Sequence, residues 1–465
     1  FFSGYIHTMA TILCLGAGLV TAPGVRYLGD AGFQVTVASR TVSKAEKIIE
    51  GLAGCKAVAV DVLSESDAVK LEELVKTHDL TISLLPWTQH LPIAKLCLKH
   101  KKHFCTTSYI SDDMQALDEE FKQAGVVCFN ECGVDPGMDH MSAVKIIDKV
   151  HADGGKVNSF TSYCGGLPCP DHNNNPFGYK FSWSPRGVLL AAIRKAIFQE
   201  DGERKELDGT PGKMIYDKFF EDTSVPDVGP KIETAWPSSF ECHPNGDSCK
   251  FLSIYKIPEA HTLIRGTYRS VGWCPTMKKV TELGLLKEDD ISALKGKSYA
   301  EFLASKLGCE AGNVKAATAE KLGLAVDDAI IGRLEWLGLF DQEKKVEAAT
   351  TLDAVCDLFL NNPKFWYEPG ETDMICMHHT FIVEKADGKK EKITSTMVDY
   401  GIKNGDTSMS RLVSLPLAIH IRRILKGEAK ETGVVRPVEA EIYNPILDEM
   451  EQKFNVKFHE VATPL

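Results

Sequence analysis

The chain has 465 residues, 44% hydrophobic and 25% charged, with a formal net charge of −11. That length accommodates two or three domains, and the balance is that of a globular enzyme. The acidic excess speaks against nucleic acid or an anionic membrane as the main partner, and no apolar run approaches the roughly 20 residues that a membrane helix needs.

The first seven residues, FFSGYIH, read as a non-native appendage, with Met9 as the natural start. An apolar strand over 11–15 then runs into Gly16-Ala17-Gly18, a helix follows over 20–31, and a second strand over 34–38 ends in Ser39-Arg40. A glycine turn between strand and helix lets the backbone approach a pyrophosphate, whose charge then sits at the helix N-terminus. Gly16, Gly18, Leu19 and Val20 are therefore candidate cofactor contacts. Thr21 stands where G-x-G-x-x-G has its third glycine, so the specificity lies in the order strand, turn, helix, strand, arginine. Enzymes that use NAD place an acid after the second strand. Here Ser39, Arg40 and Thr41 offer hydroxyls and a fixed cation, which suit the 2′-phosphate of NADP(H).

Strands at 57–60, 80–85, 103–106 and 126–129 alternate with helices at 43–52, 65–77, 90–100 and 113–124. This alternation predicts an α/β domain with a doubly wound parallel sheet. Ligands bind beyond the carboxyl ends of such strands, so the loops there face one crevice. Those loops add Asp61, Val62, Ser83, Thr107 and Val134 as cofactor candidates, and Ser108, Tyr109 and Asp135 as substrate candidates.

From about residue 135 the pattern changes. A helix is expected over 138–150, then strands at 157–163, 250–257, 261–270, 374–384 and 391–400, a mostly antiparallel sheet that would floor a substrate site or form a dimer surface. Residues 276–366 read as an all-helical insertion, with apolar residues three and four apart in 298–307, 327–340 and 351–362. A long helix over 406–426 is predicted to kink at Pro416, and the tail 434–453 ends in another helix; both return to the first domain. None of the fourteen cysteines forms C-x-x-C, and no signal peptide is visible, so reduced thiols and a cytoplasmic location are expected. Neither H-E-x-x-H nor G-x-S-x-G occurs, and no metal is expected.

The runs LGAGLVTAP (15–23), VTVASRT (35–41), TTSYIS (106–111), NECGVDPGMDHM (130–141), SYCGGLP (162–168), GYKFSWSPRGVLLA (178–191), IPEAHTLIRGTYR (257–269) and EIYNPIL (441–447) together resemble the L-glutamate-forming saccharopine dehydrogenases, also called saccharopine reductases. The resemblance spans almost the whole chain. It implies a variant Rossmann NADP(H) domain (9–134 and 405–465), a second α/β substrate and dimerisation domain with a mixed or antiparallel sheet (135–275 and 367–404), and an all-helical domain (276–366). It further implies a homodimer that interconverts saccharopine, NADP+ and water with L-glutamate, 2-aminoadipate 6-semialdehyde and NADPH. Two alternatives stay open: a related C–N dehydrogenase acting on another carboxylated imine of the carboxynorspermidine type, or a catalytically decayed NADP-binding regulatory protein.

A secondary amine bearing three carboxylates needs anion clamps and proton-handling groups. Asp135 could bind the amine or the nicotinamide ribose, or assist proton transfer; an Asx-turn or helix cap is the rival role. The Tyr109 phenol could donate to the imine nitrogen or a carboxylate, or pack at a domain joint. Cys164 could relay a proton if its thiol were acidified, though a buried, inert Cys is commoner. Arg265 suits a carboxylate, with Gly266 and Thr267 beside it; an internal salt bridge is the alternative, as it is for Arg269. Trp183 could wall the nicotinamide or serve packing. Asn245 lies in Pro-Asn-Gly-Asp-Ser (244–248), where the family commonly has Arg in place of Gly246. His378 and His379 point to opposite faces of a strand and are read as structural.

Overall fold

The computed structural model describes residues 10–210 and 212–465, so the reading of Met9 and of the segment before it lies outside the described residues. The chain divides into two compact units.

The first unit joins the residues up to Lys149 to Asp406–Lys457. Its strands are β1 (Thr11–Leu15), β2 (Gln34–Ser39), β3 (Lys56–Ala59), β4 (Leu80–Ser83), β5 (His103–Thr106) and β6 (Val127–Phe129). Helices α1 (Ala22–Asp30), α2 (Val42–Ile48), α3 (Ala68–Thr77) and α4 (His90–Lys99) connect them in turn. The sheet order is β3-β2-β1-β4-β5-β6, all parallel, and Gly433–Val435 adds a seventh parallel strand beside β6. Parallel strands are covered on both faces and so read as continuous apolar runs; Ile12 to Leu15 are fully buried. The order in which strands are added reverses between β1 and β4, which makes their carboxyl ends the switch point where ligands bind.

Two elements differ from expectation. The helix expected over 113–124 is two: α5 (Asp112–Gln115), capped by the Ser111 hydroxyl accepting from the Met114 N–H at 3.2 Å, and α6 (Asp118–Ala124). The acidic run Asp118-Glu119-Glu120 gives α6 its own favourable N-terminus. The strand Gly433–Val435 was not anticipated, since three residues carry no readable alternation. The helix Ser408–Leu425 starts on Thr407, whose hydroxyl accepts from the Ser410 N–H, and contains Pro416. α1 lies close against it: a Cβ at Gly24 would meet the Ser414 carbonyl oxygen at 2.8 Å.

The second unit comprises Val150–Gly405 and Phe458–Leu465. Its strands are β7 (Lys156–Pro168), β8 (Ala196–Glu200), β9 (Glu203–Leu207), β10 (Phe220–Asp222), β11 (Phe240–Pro244), β12 (Thr262–Arg269), β13 (Asp373–Glu384) and β14 (Lys390–Tyr400). The order is β10-β11-β12-β7-β13-β14 followed by His459–Pro464, with β8 beside β12 and β9 beside β8. Among the described residues, only the β12–β7 strand pairing within this sheet is parallel, so the sheet is mixed. The strand expected over 250–257 is instead a short helix, Phe251–Ile254, that enters β12 through a turn. The last eight residues join this unit rather than the first, because His459–Pro464 pairs with β14. Helices between Trp273 and Leu360 share one apolar cluster with a face of the sheet, where Tyr163, Phe240, Tyr268, Trp273, Phe302 and Phe359 meet.

Candidate active site

β1 ends at Leu15, and the turn that follows is fixed by three contacts. The Gly16 N–H donates to the Ala38 carbonyl at 2.9 Å, joining the ends of β1 and β2. Gly16 has φ +110°, and a Cβ there would lie 2.9 Å from the Leu84 carbonyl oxygen, so only glycine fits. Thr21, in the place of the third glycine, is fully buried; its hydroxyl accepts from the Gly18 N–H at 3.1 Å and donates to the Gly16 carbonyl at 3.3 Å. The close helix approach that a third glycine normally permits is supplied by Gly24 instead.

What remains open on this turn faces outward. Gly18 is exposed with nothing within 4 Å of a would-be Cβ, and the amides of Leu19 and Val20 bond no described residue. Arg40 is exposed beyond β2 and forms no ion pair among the described residues. The Ser39 hydroxyl accepts from the Thr41 N–H at 3.3 Å, shaping the same loop. Uncommitted amides at a helix N-terminus, together with an unpaired guanidinium after the second strand, fit a pyrophosphate and a 2′-phosphate. Asp61 is occupied locally, accepting from the Leu63 N–H at 3.0 Å, and half-buried Val62 packs on the core.

The ends of β4, β5 and β6 carry the second set. The Tyr109 hydroxyl donates to Asp135 Oδ1 at 2.7 Å, so these two candidates, called separately from sequence, form one pair. Asp135 sits in a tight turn in which the Gly133 N–H donates to the Pro136 carbonyl and the Met138 N–H to the Gly133 carbonyl. Buried Val134 and half-buried Thr107 flank the pair; a Cβ on Gly133 would meet Thr107 at 3.2 Å.

Two buried groups behind this pair were missed from sequence. His90, at the start of α4, lies 2.9 Å through Nδ1 from the Ser83 hydroxyl and 2.8 Å through Nε2 from the Ser108 hydroxyl. Burial lowers its pKa to about 4, which leaves a neutral ring. Ser83 is thus committed inside the fold rather than open to the crevice. Glu131 is the other. It is fully buried and, although not glycine, has φ 55°. Burial opposes its ionisation, but the His140 contact and the His140 and Arg436 charges hold the carboxyl down at about 2. No sequence pattern marked either residue, since each acts through neighbours on other elements.

In the second unit, register places Thr267 opposite Cys164 and Arg265 opposite Ser162 on the paired strands β12 and β7. Arg265, Thr267 and Cys164 therefore share one sheet face. Arg265 is 5% exposed, with its guanidinium carbon 4.2 Å from the centre of the Phe251 ring. The Asn245 N–H donates to the Arg265 carbonyl at 2.9 Å, and the Arg265 N–H donates to the Ser248 hydroxyl at 2.9 Å, so the 244–248 turn wraps the arginine's backbone. Gly246 takes φ +58° in that turn. Gly266 points to the opposite face, where a Cβ would lie 2.2 Å from the His243 carbonyl oxygen; sheet packing is what demands glycine there. Half-buried Trp183 packs against the unit's own apolar cluster. Arg269 stands over the Tyr179 and Trp273 rings.

A doubly wound parallel sheet, a glycine turn with open amides at its switch point and a lone arginine after the second strand define a dinucleotide-binding protein built for NADP(H). Residues 12–129 match the saccharopine dehydrogenase NADP binding domain, and residues 133–456 match the saccharopine dehydrogenase C-terminal domain. The chain is 40% identical over 452 residues to the saccharopine dehydrogenase (NADP(+), L-glutamate-forming) of Schizosaccharomyces pombe, covering 95% of this chain and 96% of that protein. It is 37% identical to the Saccharomyces cerevisiae protein of the same name over 97% of this chain and 98% of that one. The solved apo structure of saccharopine dehydrogenase (L-Glu forming) from Saccharomyces cerevisiae superposes with a TM-score of 0.84 at 36% identity, covering 98% of this chain and all of that one. The alpha-aminoadipic semialdehyde synthase of Bos taurus is 35% identical over 95% of this chain, which spans 46% of that longer protein. The chain belongs to the saccharopine dehydrogenase family.

Proposed function

We propose that this protein is the NADP-dependent, L-glutamate-forming saccharopine oxidoreductase of its organism. It interconverts saccharopine, NADP+ and water with L-glutamate, 2-aminoadipate 6-semialdehyde and NADPH. Identity to two enzymes of that name along nearly their full length supports the reaction, and it favours saccharopine over a shorter C–N dehydrogenase substrate. The observation that carries the site assignment is the Tyr109–Asp135 hydrogen bond at the ends of β5 and β6.

NADP(H), when bound, would supply hydride transfer to or from the carbon beside the saccharopine nitrogen. Leu19, Val20 and Gly18 would hold the pyrophosphate, Arg40 and Ser39 would hold the 2′-phosphate, and Trp183 would wall the ring. Asp135 accepts the proton of the substrate ammonium, while Tyr109 gives its O–H to that carboxylate and accepts through its oxygen from the iminium N–H. Water then adds to the imine, and the carbinolamine splits to glutamate and the semialdehyde. Arg265, Thr267 and Asn245 clamp substrate carboxylates, and Cys164 relays a proton beside them. The enzyme works as a homodimer in the cytoplasm; among the described residues no helix is long and apolar enough to cross a membrane.

The test is steady-state kinetics on the purified protein. Saccharopine should reduce NADP+, and L-glutamate with the semialdehyde should oxidise NADPH. Tyr109→Phe and Asp135→Asn should each lower kcat by roughly 100-fold or more, the size expected of proton-handling groups. NADPH binding without turnover by the wild type would favour a regulatory protein. Light scattering and cell fractionation check the dimer and its location.

A further inference from the structure

We propose that Glu131 is a positioning residue that fixes the catalytic pair Tyr109–Asp135 from behind; this rests on the reading of that pair as the proton-handling group. The argument is geometric. Tyr109 lies between Ser108 and Ile110, and Glu131 grips both neighbours. Its own N–H donates to the Ser108 carbonyl at 3.1 Å, and its Oε1 accepts from the Ile110 N–H at 2.8 Å. One residue thus brackets the tyrosine on either side, across the gap between the β5 and β6 loops. Glu131 also starts the segment that ends at Asp135, so the acceptor of the Tyr109 hydroxyl is carried on the same short stretch of chain.

The carboxylate is itself held. Arg436, just past the strand Gly433–Val435, donates through Nε to Oε2 at 3.2 Å, and His140 Nε2 of α7 (Met138–Ala152) lies 3.0 Å from the same oxygen. The Asn130 N–H donates to the Val435 carbonyl at 2.9 Å, which locks the register of that partner. A fully buried carboxylate is costly unless its charge and lone pairs are met, and a left-handed φ at a non-glycine residue adds strain. Structure of that cost persists where the surroundings over-determine it, and such positions cluster at functional sites. Displacing a catalytic group by about 1 Å can cost 100-fold in rate, so a tether of this kind has a role in turnover without touching the substrate.

The experiment is a double-mutant cycle. Glu131→Gln keeps an acceptor for the Ile110 N–H but loses the charge; Glu131→Leu loses both. Glu131→Gln should lower kcat/KM for saccharopine by roughly tenfold, and Glu131→Leu by roughly 100-fold. Fluorescence titration should find the NADPH Kd within about twofold of wild type in both. In a Tyr109→Phe background, Glu131→Gln should cost less than about twofold, because its effect passes through the tyrosine hydroxyl. If Glu131→Leu does not fold, Arg436→Met tests the same tether more gently and should follow the same non-additive pattern. An equal loss from Glu131→Gln in both backgrounds would overturn the inference. If Tyr109→Phe is as active as wild type, the assignment of the pair fails and the inference falls with it.

Discussion

The two glycines of the nucleotide turn should fail in opposite ways when each is changed to alanine. At Gly16 the methyl group must adopt φ +110° and sit 2.9 Å from the Leu84 carbonyl oxygen. The backbone strain costs about 1–3 kcal/mol. The contact is with backbone rather than a pliable side chain, and Leu84 is itself tied to the Leu15 carbonyl by a 2.9 Å hydrogen bond. Relief therefore means parting β1 from the end of β4, at a further cost of about 1–3 kcal/mol. The sum, about 2–6 kcal/mol, should lower the melting temperature by on the order of 10 °C. At Gly18 a methyl group meets nothing within 4 Å, so stability should change by less than about 0.5 kcal/mol. The same methyl stands where the turn must approach the phosphates. Losing one charge-assisted hydrogen bond, worth about 1.5–3 kcal/mol, weakens binding by roughly 10- to 150-fold. Thermal melts without ligand, paired with NADPH fluorescence titration, separate the two effects. A Gly18→Ala protein that binds NADPH as tightly as wild type would refute the assignment of this turn to the pyrophosphate.

Arg40→Asp should raise the KM for NADPH by roughly 10- to 100-fold while changing NADH kinetics less than about threefold, read from steady-state rates with each nucleotide. Equal losses with both would remove Arg40 as the phosphate reader. Arg265→Lys should raise the KM for saccharopine by roughly tenfold or more, because an ammonium cannot give the two-pronged contact, with NADPH affinity unmoved in titration. Burial lowers the pKa values of His90, His243 and His420 to about 4, 3 and 3. The unfolded chain takes up protons near pH 6.5 that the fold refuses, so their stabilisation is complete above that pH and lost as pH falls towards the folded-state values. Each imidazole should cost about 2 kcal/mol by pH 5, measurable in urea unfolding between pH 7 and 5, and His90→Gln should flatten that slope.

Much of the nucleotide-binding unit was legible in the sequence. Buried parallel strands such as Thr11–Leu15 are unbroken apolar runs, and the helices between them keep their periodicity, so the element order could be read directly. The loops beyond the strands follow from topology, which puts Tyr109 and Asp135 at neighbouring strand ends, whereas their mutual hydrogen bond is a matter of tertiary geometry. The second sheet was harder. Residues 250–257 carry a strand-like composition, yet Phe251–Ile254 coil into a helix whose aromatic ring packs under Arg265, a tertiary preference that no local window contains. β8 and β9 form a two-residue hairpin whose second strand is polar on both faces up to Leu207, while β10 and β11 are three and five residues long and separated by irregular chain, which leaves little periodicity to find. His90 and Glu131 escaped for a different reason. Their meaning lies in hydrogen bonds to residues up to about three hundred positions away, as with Arg436.

The strand Gly433–Val435 has a consequence for how this protein is made. It closes the open side of β6 and brings the guanidinium that neutralises Glu131, yet residues 150–405 of the second unit come before it along the chain. The nucleotide-binding unit must therefore wait, with the β6 edge bare, while residues 150–405 of the second unit emerge. Expression of residues 10–405 alone should give a protein that self-associates through the bared edges of β6 and β14. Supplying residues 406–465 in trans, which carry the edge strands of both sheets, should restore a monodisperse species, just as missing staves close a barrel.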